Sequence, residues 1–161
     1  MNTSIYYNQA RLGSTLDKHS GRHSGQNPWV ARKGILIVED DATAREFLRM
    51  ILDSEGYRVF TAYDEAQALK IWRQHFSEID LLFTDLCIPY KTTGVQLAKK
   101  LRLEKSWLKV IYTSGFSPDI VDGEGEALIV NANFVCKPCP GSKLLKIVRN
   151  AFAQQGILSS N

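Results

Sequence analysis

The chain lacks the features that mark secreted and membrane proteins. None of its apolar runs approaches the roughly 18 residues that a membrane-spanning helix needs. Its N-terminus has no apolar stretch followed by a small-residue cleavage site. We therefore expect a cytoplasmic location without membrane contact. With 161 residues and 44% hydrophobic content, the chain has enough apolar material for one domain with a buried core.

Cysteine and histidine are also scarce. An odd count of three cysteines, without a secretion signal, argues against a disulfide framework. Cys136 and Cys139 have the C-x-x-C spacing of redox sites, but the lysine and proline between them have a better use, given below. A zinc site is disfavoured because no second cysteine or histidine pair exists. The third cysteine is Cys87, and the scattered histidines are His19, His23 and His75.

The excess of positive charge is confined to the N-terminus. Residues 1–33 hold five basic side chains against one acidic side chain, whereas the remainder holds 15 basic and 16 acidic side chains. No basic stripe with interleaved aromatics indicates nucleic-acid binding within this chain. Because residues 1–33 are rich in Ser, Asn, Gly and Gln, they are predicted to form a disordered leader or linker.

From residue 34 onward, strand and helix patterns alternate five times, so residues 34–155 are predicted to form one domain, followed by a tail at 156–161. Alternating strands and helices imply a parallel sheet that is covered on both faces. The expected fold is α/β, a flavodoxin-like (βα)5 doubly wound sheet with strand order 2-1-3-4-5. The predicted strands are about 34–39, 57–62, 79–84, 108–113 and 132–136. The helices between them include a weak, glycine-interrupted one at about 118–127.

Four of the predicted strands are each followed at once by a polar side chain. The carboxyl ends of parallel strands lie at one edge of the sheet, and ligands of open α/β proteins bind at that edge. The strand order also places the first and third strands side by side. In strand order, the polar groups are Glu39-Asp40-Asp41, Asp85, Ser114 and Lys137.

This set of side chains suits a divalent cation and a phosphoryl group. Clustered carboxylates repel one another unless a cation neutralises them, and Mg²⁺ favours such oxygen ligands. Asp40 and Asp85 would be metal ligands, and Glu39 would act directly or through water. Asp85 is also a plausible nucleophile that forms an aspartyl phosphate. Ser114 and Lys137 would then hold the other phosphoryl oxygens.

Each of these residues also has an ordinary structural explanation. The acidic run at 39–41 could simply cap a helix N-terminus, where negative charge is favoured. Asp85 could cap a loop, Ser114 could lie in a turn, and Lys137 could be a solvated lysine before a helix. Thr113, beside Ser114, leaves open which hydroxyl is used, although the following Gly115 favours Ser114. The joint order of the four groups favours the functional interpretation.

These residues resemble the receiver domains of two-component response regulators over about 34–154. Residues 35–41 look like the family's acidic pocket, with Arg45 at the usual interval. Asp85, with Pro89 four residues later, looks like the phosphoacceptor loop. Ser114-Gly115 and Lys137-Pro138 look like the family's hydroxyl and lysine motifs.

The resemblance implies that Asp85 takes a phosphoryl group from a phosphohistidine on a histidine kinase or a histidine phosphotransfer protein. It implies Mg²⁺ as the cofactor, with the main-chain carbonyl of Cys87 completing the metal shell. It also implies a switch in which Ser114 moves inward and Phe134 follows. The role of Tyr112 is left open, and a homodimer remains an open alternative.

The chain departs from the family pattern in its phosphoacceptor loop. Gly94 lies nine residues after Asp85, where many members have eight, and receivers of hybrid histidine kinases often have this longer loop. Since only seven residues follow Gln154, we expect a stand-alone receiver or one excised from a longer protein.

Two other functions compete with the phosphorylated switch. One is a receiver-like binding module that works without phosphorylation. The other is a magnesium-dependent phosphatase, which generally needs a second acid two residues after its nucleophile. That position is Cys87, so this chemistry is disfavoured.

Overall fold

The described part of the chain forms a parallel sheet of five strands with helices on both faces. The structure is a computed structural model that describes residues 32–89, 92–115 and 133–153. Most of the predicted leader, the helix at 118–127 and the tail lie outside the described residues. The elements are β1 (Gly34–Val38), α1 (Ala42–Ser54), β2 (Arg58–Ala62), α2 (Glu65–His75), β3 (Ile79–Asp85), α3 (Gly94–Glu104), β4 (Lys109–Ser114), β5 (Phe134–Cys136) and α4 (Gly141–Ala153).

The strands follow the order β2-β1-β3-β4-β5, which confirms the prediction. All four neighbouring pairs are parallel. The chain passes from β2 across β1 to reach β3, so the sheet is doubly wound around β1. This order brings the carboxyl ends of β1 and β3 side by side, with β4 and β5 next along the same edge.

Side chains on successive strand residues point to opposite faces and build two separate cores. Apart from Ile79, which precedes a register shift in β3, the odd-numbered core residues of the strands, such as Phe83 and Val135, pack with α1 and α4 in what we call the α1–α4 layer. Even-numbered residues, such as Leu82 and Tyr112, pack with α2 and α3 in the α2–α3 layer. Both faces are therefore covered, which explains why the strand segments are almost continuously apolar.

Polar residues at the helix ends define where the helices start and stop. Asp41 is the N-cap of α1, and its side chain accepts the Ala44 N–H. Gly56 follows α1 with a φ of 87°, a conformation that favours glycine, so it ends the helix. Thr93 and Gln96 form a capping box at the start of α3.

Two strand ends differ from the prediction in a way that matters for the site. Asp85 and Ser114 were expected just after their strands, and that prediction is wrong by one residue, because each is the last residue of its strand. The parallel register continues through Asp85 opposite Thr113 and through Ser114 opposite Cys136. These side chains are therefore held by regular strand pairing rather than by a loop. In contrast, β5 begins only at Phe134.

Candidate functional site

Three carboxylates meet at the carboxyl edge of the sheet. One oxygen from each of Glu39, Asp40 and Asp85 lies within 4.8 Å of the others. Glu39 is 2% exposed, Asp85 is partly buried and Asp40 faces solvent. In the described part of the chain, no other group of three potential metal-ligating side chains is this close.

Lys137 links the ends of three strands. Its Nζ donates to Oε2 of Glu39 at 2.6 Å and to Oδ2 of Asp85 at 2.5 Å. The Lys137 backbone N–H donates to the Ser114 carbonyl at 2.8 Å, which continues the β4–β5 ladder beyond Cys136. The peptide bond between Lys137 and Pro138 is cis. One lysine is therefore placed by β5 and shared by acids that follow β1 and end β3.

Burial and charge act in opposite directions on this cluster. Burial raises the pKa of Glu39, and the negative charge of Asp85 adds to this, while Lys137 opposes it. Burial by itself would lower the pKa of Lys137, but its hydrogen bonds to Asp85 and Glu39 outweigh burial and raise that pKa. Lys137 is therefore a charged ammonium that two carboxylates share in a partly buried site.

Backbone groups fix the position of Asp85 and the segment that follows it. The Cys87 N–H donates to Oδ1 of Asp85 at 3.0 Å, which leaves Oδ2 to Lys137. Gly94 N–H donates to the Leu86 carbonyl, and Cys87 forms an isolated bridge with Thr93. A Cβ at Gly94 would lie 2.2 Å from the Asp85 carbonyl oxygen, so only glycine fits there. Backbone hydrogen bonds therefore hold both ends of the segment between Asp85 and Gly94.

The two hydroxyls at the end of β4 lie on opposite faces of the sheet. Ser114, which is buried, shares the α2–α3 face with Tyr112 and Phe134, whereas Thr113 is on the α1–α4 face. Tyr112 and Phe134 are paired across β4 and β5, and both are fully buried. The predicted switch pair, Ser114 and Phe134, is therefore on one face and on adjacent strands.

Sequence reasoning noted the position of Arg45 but not what it does. Its Nη1 donates to the carbonyl oxygens of Glu39 at 2.7 Å and Asp40 at 3.1 Å. Of the three acids at 39–41, Asp41 caps α1, whereas Glu39 and Asp40 belong to the carboxylate cluster. Arg45 fixes the turn that aims Glu39 and Asp40 at the cluster. The sequence signal for this contact is an arginine in the first turn of the helix that follows an acidic run.

A second contact missed from the sequence links the start of α2 with the residues before α3. The Thr92 hydroxyl donates to Glu65, and Nζ of Lys100 donates to the same carboxylate at 3.3 Å. The hydrogen bond from Thr92 is the main reason that the pKa of Glu65 is lowered. Glu65 therefore holds Thr92, which lies near the C-terminal end of the segment between Asp85 and Gly94.

The C-x-x-C pair does not form a paired-thiol site. Cys139 packs with the α1–α4 core, while Cys136 follows Val135 on the strand and so points to the other face. All three cysteines are free thiols. This arrangement favours the use of Lys137 and Pro138 at the carboxylate cluster.

The comparisons with known proteins identify the family. The model of the response regulator receiver domain matches residues 35–149. The chain belongs to this family, whose domains are signalling modules of two-component systems. The predictions of the family and of the flavodoxin-like fold are therefore confirmed.

The curated relatives are longer than the region that they share with this chain. The chain is 31% identical over 116 residues to the uncharacterized transcriptional regulatory protein YbdJ of Bacillus subtilis, covering 72% of this chain and 49% of that protein. It is 37% identical over 81 residues to the aerobic respiration control protein ArcA of Escherichia coli K12, covering 50% and 32%. The chain thus spans about half the length, or less, of these relatives.

Solved structures with the same fold include isolated receivers. The receiver domain of the hybrid histidine kinase CckA is 29% identical, with a TM-score of 0.60 over 73% of this chain and 97% of that chain. The chemotaxis response regulator CheY4 of Vibrio cholerae is 23% identical, with a TM-score of 0.64 over 74% and 98%. In the described part of this chain, no helix is both long and apolar enough to cross a membrane.

Proposed function

We propose that this chain is the phosphoacceptor receiver of a two-component phosphorelay and that Asp85 carries the phosphoryl group. The observation that carries the proposal is the position of Lys137, whose Nζ contacts the Asp85 and Glu39 carboxylates at 2.5 and 2.6 Å. A lysine held between a nucleophile and a metal-binding acid is placed to pair with a phosphoryl oxygen.

The donor is a phosphohistidine on a histidine kinase or on a histidine phosphotransfer protein. In the transfer, an Asp85 carboxylate oxygen forms a bond to phosphorus and the histidine N–P bond breaks. The bonding electrons return to the imidazole nitrogen. The chain's own groups contribute positioning and charge: Lys137 pairs with one phosphoryl oxygen, and the Ser114 hydroxyl donates to another.

The carboxylate cluster fits Mg²⁺ in its donor chemistry. Two ligands on opposite sides of one Mg²⁺ are about 4.2 Å apart, since each bond is about 2.1 Å. The three carboxylate oxygens, within 4.8 Å of one another, suit direct contacts supplemented by water. Asp40 and Asp85 would hold the ion, Glu39 would act directly or through water, and the main-chain carbonyl of Cys87 would complete the shell. The ion would neutralise the acids and a phosphoryl oxygen.

Phosphorylation would act through the Ser114 side of β4. When the Ser114 hydroxyl turns toward the phosphoryl group, the space that it leaves lies in the α2–α3 layer. Phe134 is fully buried in this layer, paired with Tyr112 on the neighbouring strand. We propose that Phe134 is the aromatic side chain that moves when Ser114 turns. Phosphorylation at the sheet edge would then change the packing of the α2–α3 layer. Residues 34–155 would be the unit that switches.

The test is phosphorylation by phosphoramidate, which offers the same kind of N–P bond as phosphohistidine. The full chain is incubated with Mg²⁺ and followed by intact mass spectrometry. We expect one added phosphoryl group, none in Asp85→Asn, and wild-type behaviour in the matched control Asp53→Asn on the exposed part of α1. Equal phosphorylation of Asp85→Asn and wild type would contradict the assignment.

The phosphoramidate experiment and a separate phosphatase assay distinguish the competing functions. A binding module that works without phosphorylation would show no added phosphoryl group with Mg²⁺ present. A phosphatase would release inorganic phosphate from a phosphomonoester over many turnovers. Cys87 stands where that chemistry needs an acid, and its backbone N–H already donates to Asp85.

A further inference from the structure

A cavity of about 410 Å³ lies in the α1–α4 layer beside the carboxylate cluster. Its volume falls within the range of small-molecule sites, roughly 300–1,000 Å³. The walls come from α1, β3, β5 and the start of α4. They are largely apolar, and they include Ala44, Phe47, Leu48, Phe83, Val135 and Leu144.

Thr113 contributes a polar group to this apolar wall. Thr113 is 3% exposed, and its hydroxyl has no hydrogen-bond partner in the described part of the chain. A buried hydroxyl without a partner is unfavourable, and valine would fill nearly the same space without this cost. Threonine has alternative staggered rotamers, and rotation about its Cα–Cβ bond exchanges the positions of its methyl and hydroxyl groups. The hydroxyl can therefore turn toward the cavity.

The charged residues at one end of the cavity are already paired. Glu39 and Lys137 line that end, and they are bonded to each other at 2.6 Å. Together with Asp85 they form a cluster with more carboxylate than ammonium charge, which disfavours an anion, and a cation among the apolar walls would lose its hydration. Phe47 is 48% exposed, so an apolar ligand beside it would remove apolar surface from water. The cavity therefore favours an uncharged ligand.

We propose that this cavity binds a small, uncharged aromatic molecule that carries one hydroxyl group bonded to Thr113. Phe47 and Phe83 supply aromatic walls for the ring, and Thr113 supplies a hydrogen bond that its hydroxyl lacks in the described structure. The proposal is independent of the phosphoryl chemistry, because binding is measured on the unphosphorylated chain.

The test compares p-cresol with toluene, which has the same ring and methyl group but no hydroxyl. The ¹⁵N-labelled full chain is titrated with each probe and followed by amide chemical shifts. We expect saturable shifts in the amides around Leu48, Thr113 and Val135, and tighter binding of p-cresol by roughly three- to tenfold. In Thr113→Val that advantage disappears while toluene binding is retained. The exposed Thr43→Val on α1 is the matched control and keeps the advantage.

Filling the cavity provides an independent arm. Ala44→Phe adds a ring at the wall and is expected to abolish saturable binding of both probes. If Ala44→Phe does not fold, the comparison of Thr113→Val with Thr43→Val still decides the matter. The proposal is overturned if neither probe saturates, if the shifts map elsewhere, or if the p-cresol advantage survives Thr113→Val.

Discussion

Nζ of Lys137 lies 2.5 Å from Oδ2 of Asp85, although 52 residues separate the two along the chain. The contact exists because β3 and β5 flank β4 and end at the same edge of the sheet. Lys137 also contacts the buried Glu39, so the ends of β1, β3 and β5 are joined by one ammonium group.

Replacing Lys137 by methionine should destabilise the fold as well as impair phosphorylation. Glu39 is 2% exposed and would lose its cationic partner. We expect the free energy of unfolding at neutral pH, measured with urea in the absence of Mg²⁺, to fall by about 1–3 kcal/mol. The exposed Lys146→Met on α4 is the control and should change stability by no more than about 0.5 kcal/mol. Equal stability of Lys137→Met and wild type would argue against a supporting role for this lysine.

Divalent metal should stabilise the protein through Asp40. A ligand that binds only the folded state raises the unfolding temperature as its concentration rises. We expect Mg²⁺ to raise the melting temperature of the wild type, and EDTA to reverse the increase. Asp40→Asn should shift the Mg²⁺ dependence to higher concentrations, while Asp53→Asn should not. An unchanged response in Asp40→Asn would remove Asp40 from the metal site.

Gly94 should tolerate no side chain. The Cβ of alanine would lie 2.2 Å from the Asp85 carbonyl oxygen and 3.0 Å from the Thr84 side chain. We expect Gly94→Ala to cost about 1–3 kcal/mol of stability, in the range of overpacked sites. Gly115→Ala is a matched control, because a Cβ there meets no atom within 4 Å. If both substitutions cost the same in thermal unfolding, the close approach is not a constraint.

Glu65 should contribute stability in a pH-dependent way. Its pKa in the folded state is lowered, chiefly by the hydrogen bond from Thr92, with Lys100 adding to the effect. Its contribution is therefore present above the ordinary value of 4.5 and is lost as pH falls through the lower folded value.

Glu65→Gln is therefore expected to lower the free energy of unfolding by about 0.5–1 kcal/mol at pH 7, discounted for partial exposure, and by less at pH 3. Urea unfolding at the two pH values measures this. A double variant with Thr92→Val should lose less than the sum of the single variants. Additive losses would show that the two side chains act separately.

Sequence periodicity predicted the alternating strands and helices, and the rules for connecting parallel strands predicted the strand order and the groups that meet at the sheet edge. Glu39, Asp85 and Lys137 all hold odd positions, which face the α1–α4 layer, so their meeting follows from strand alternation and topology. The predicted ends of β3 and β4 were one residue too early. Asp85 and Ser114 belong to their strands because of hydrogen-bonded pairing with neighbouring strands, which the local apolar pattern does not show.

Contacts made by long side chains could not be predicted in the same way. Arg45 reaches back to the carbonyls of Glu39 and Asp40, and Glu65 reaches across to Thr92. These contacts depend on rotamers and on how loops fold back, which have no periodic signature. The unpartnered hydroxyl of Thr113 is likewise invisible in the sequence, since it depends on what surrounds the residue in three dimensions.

The most direct test of the central claim is chemical localisation of the phosphoryl group. Borohydride reduces an aspartyl phosphate to homoserine, which peptide mass spectrometry can place at a single residue. After treatment with phosphoramidate and Mg²⁺, we predict homoserine at residue 85 and at no other acidic position. Homoserine at residue 40 or 41 instead, with Asp85 unmodified, would contradict the account.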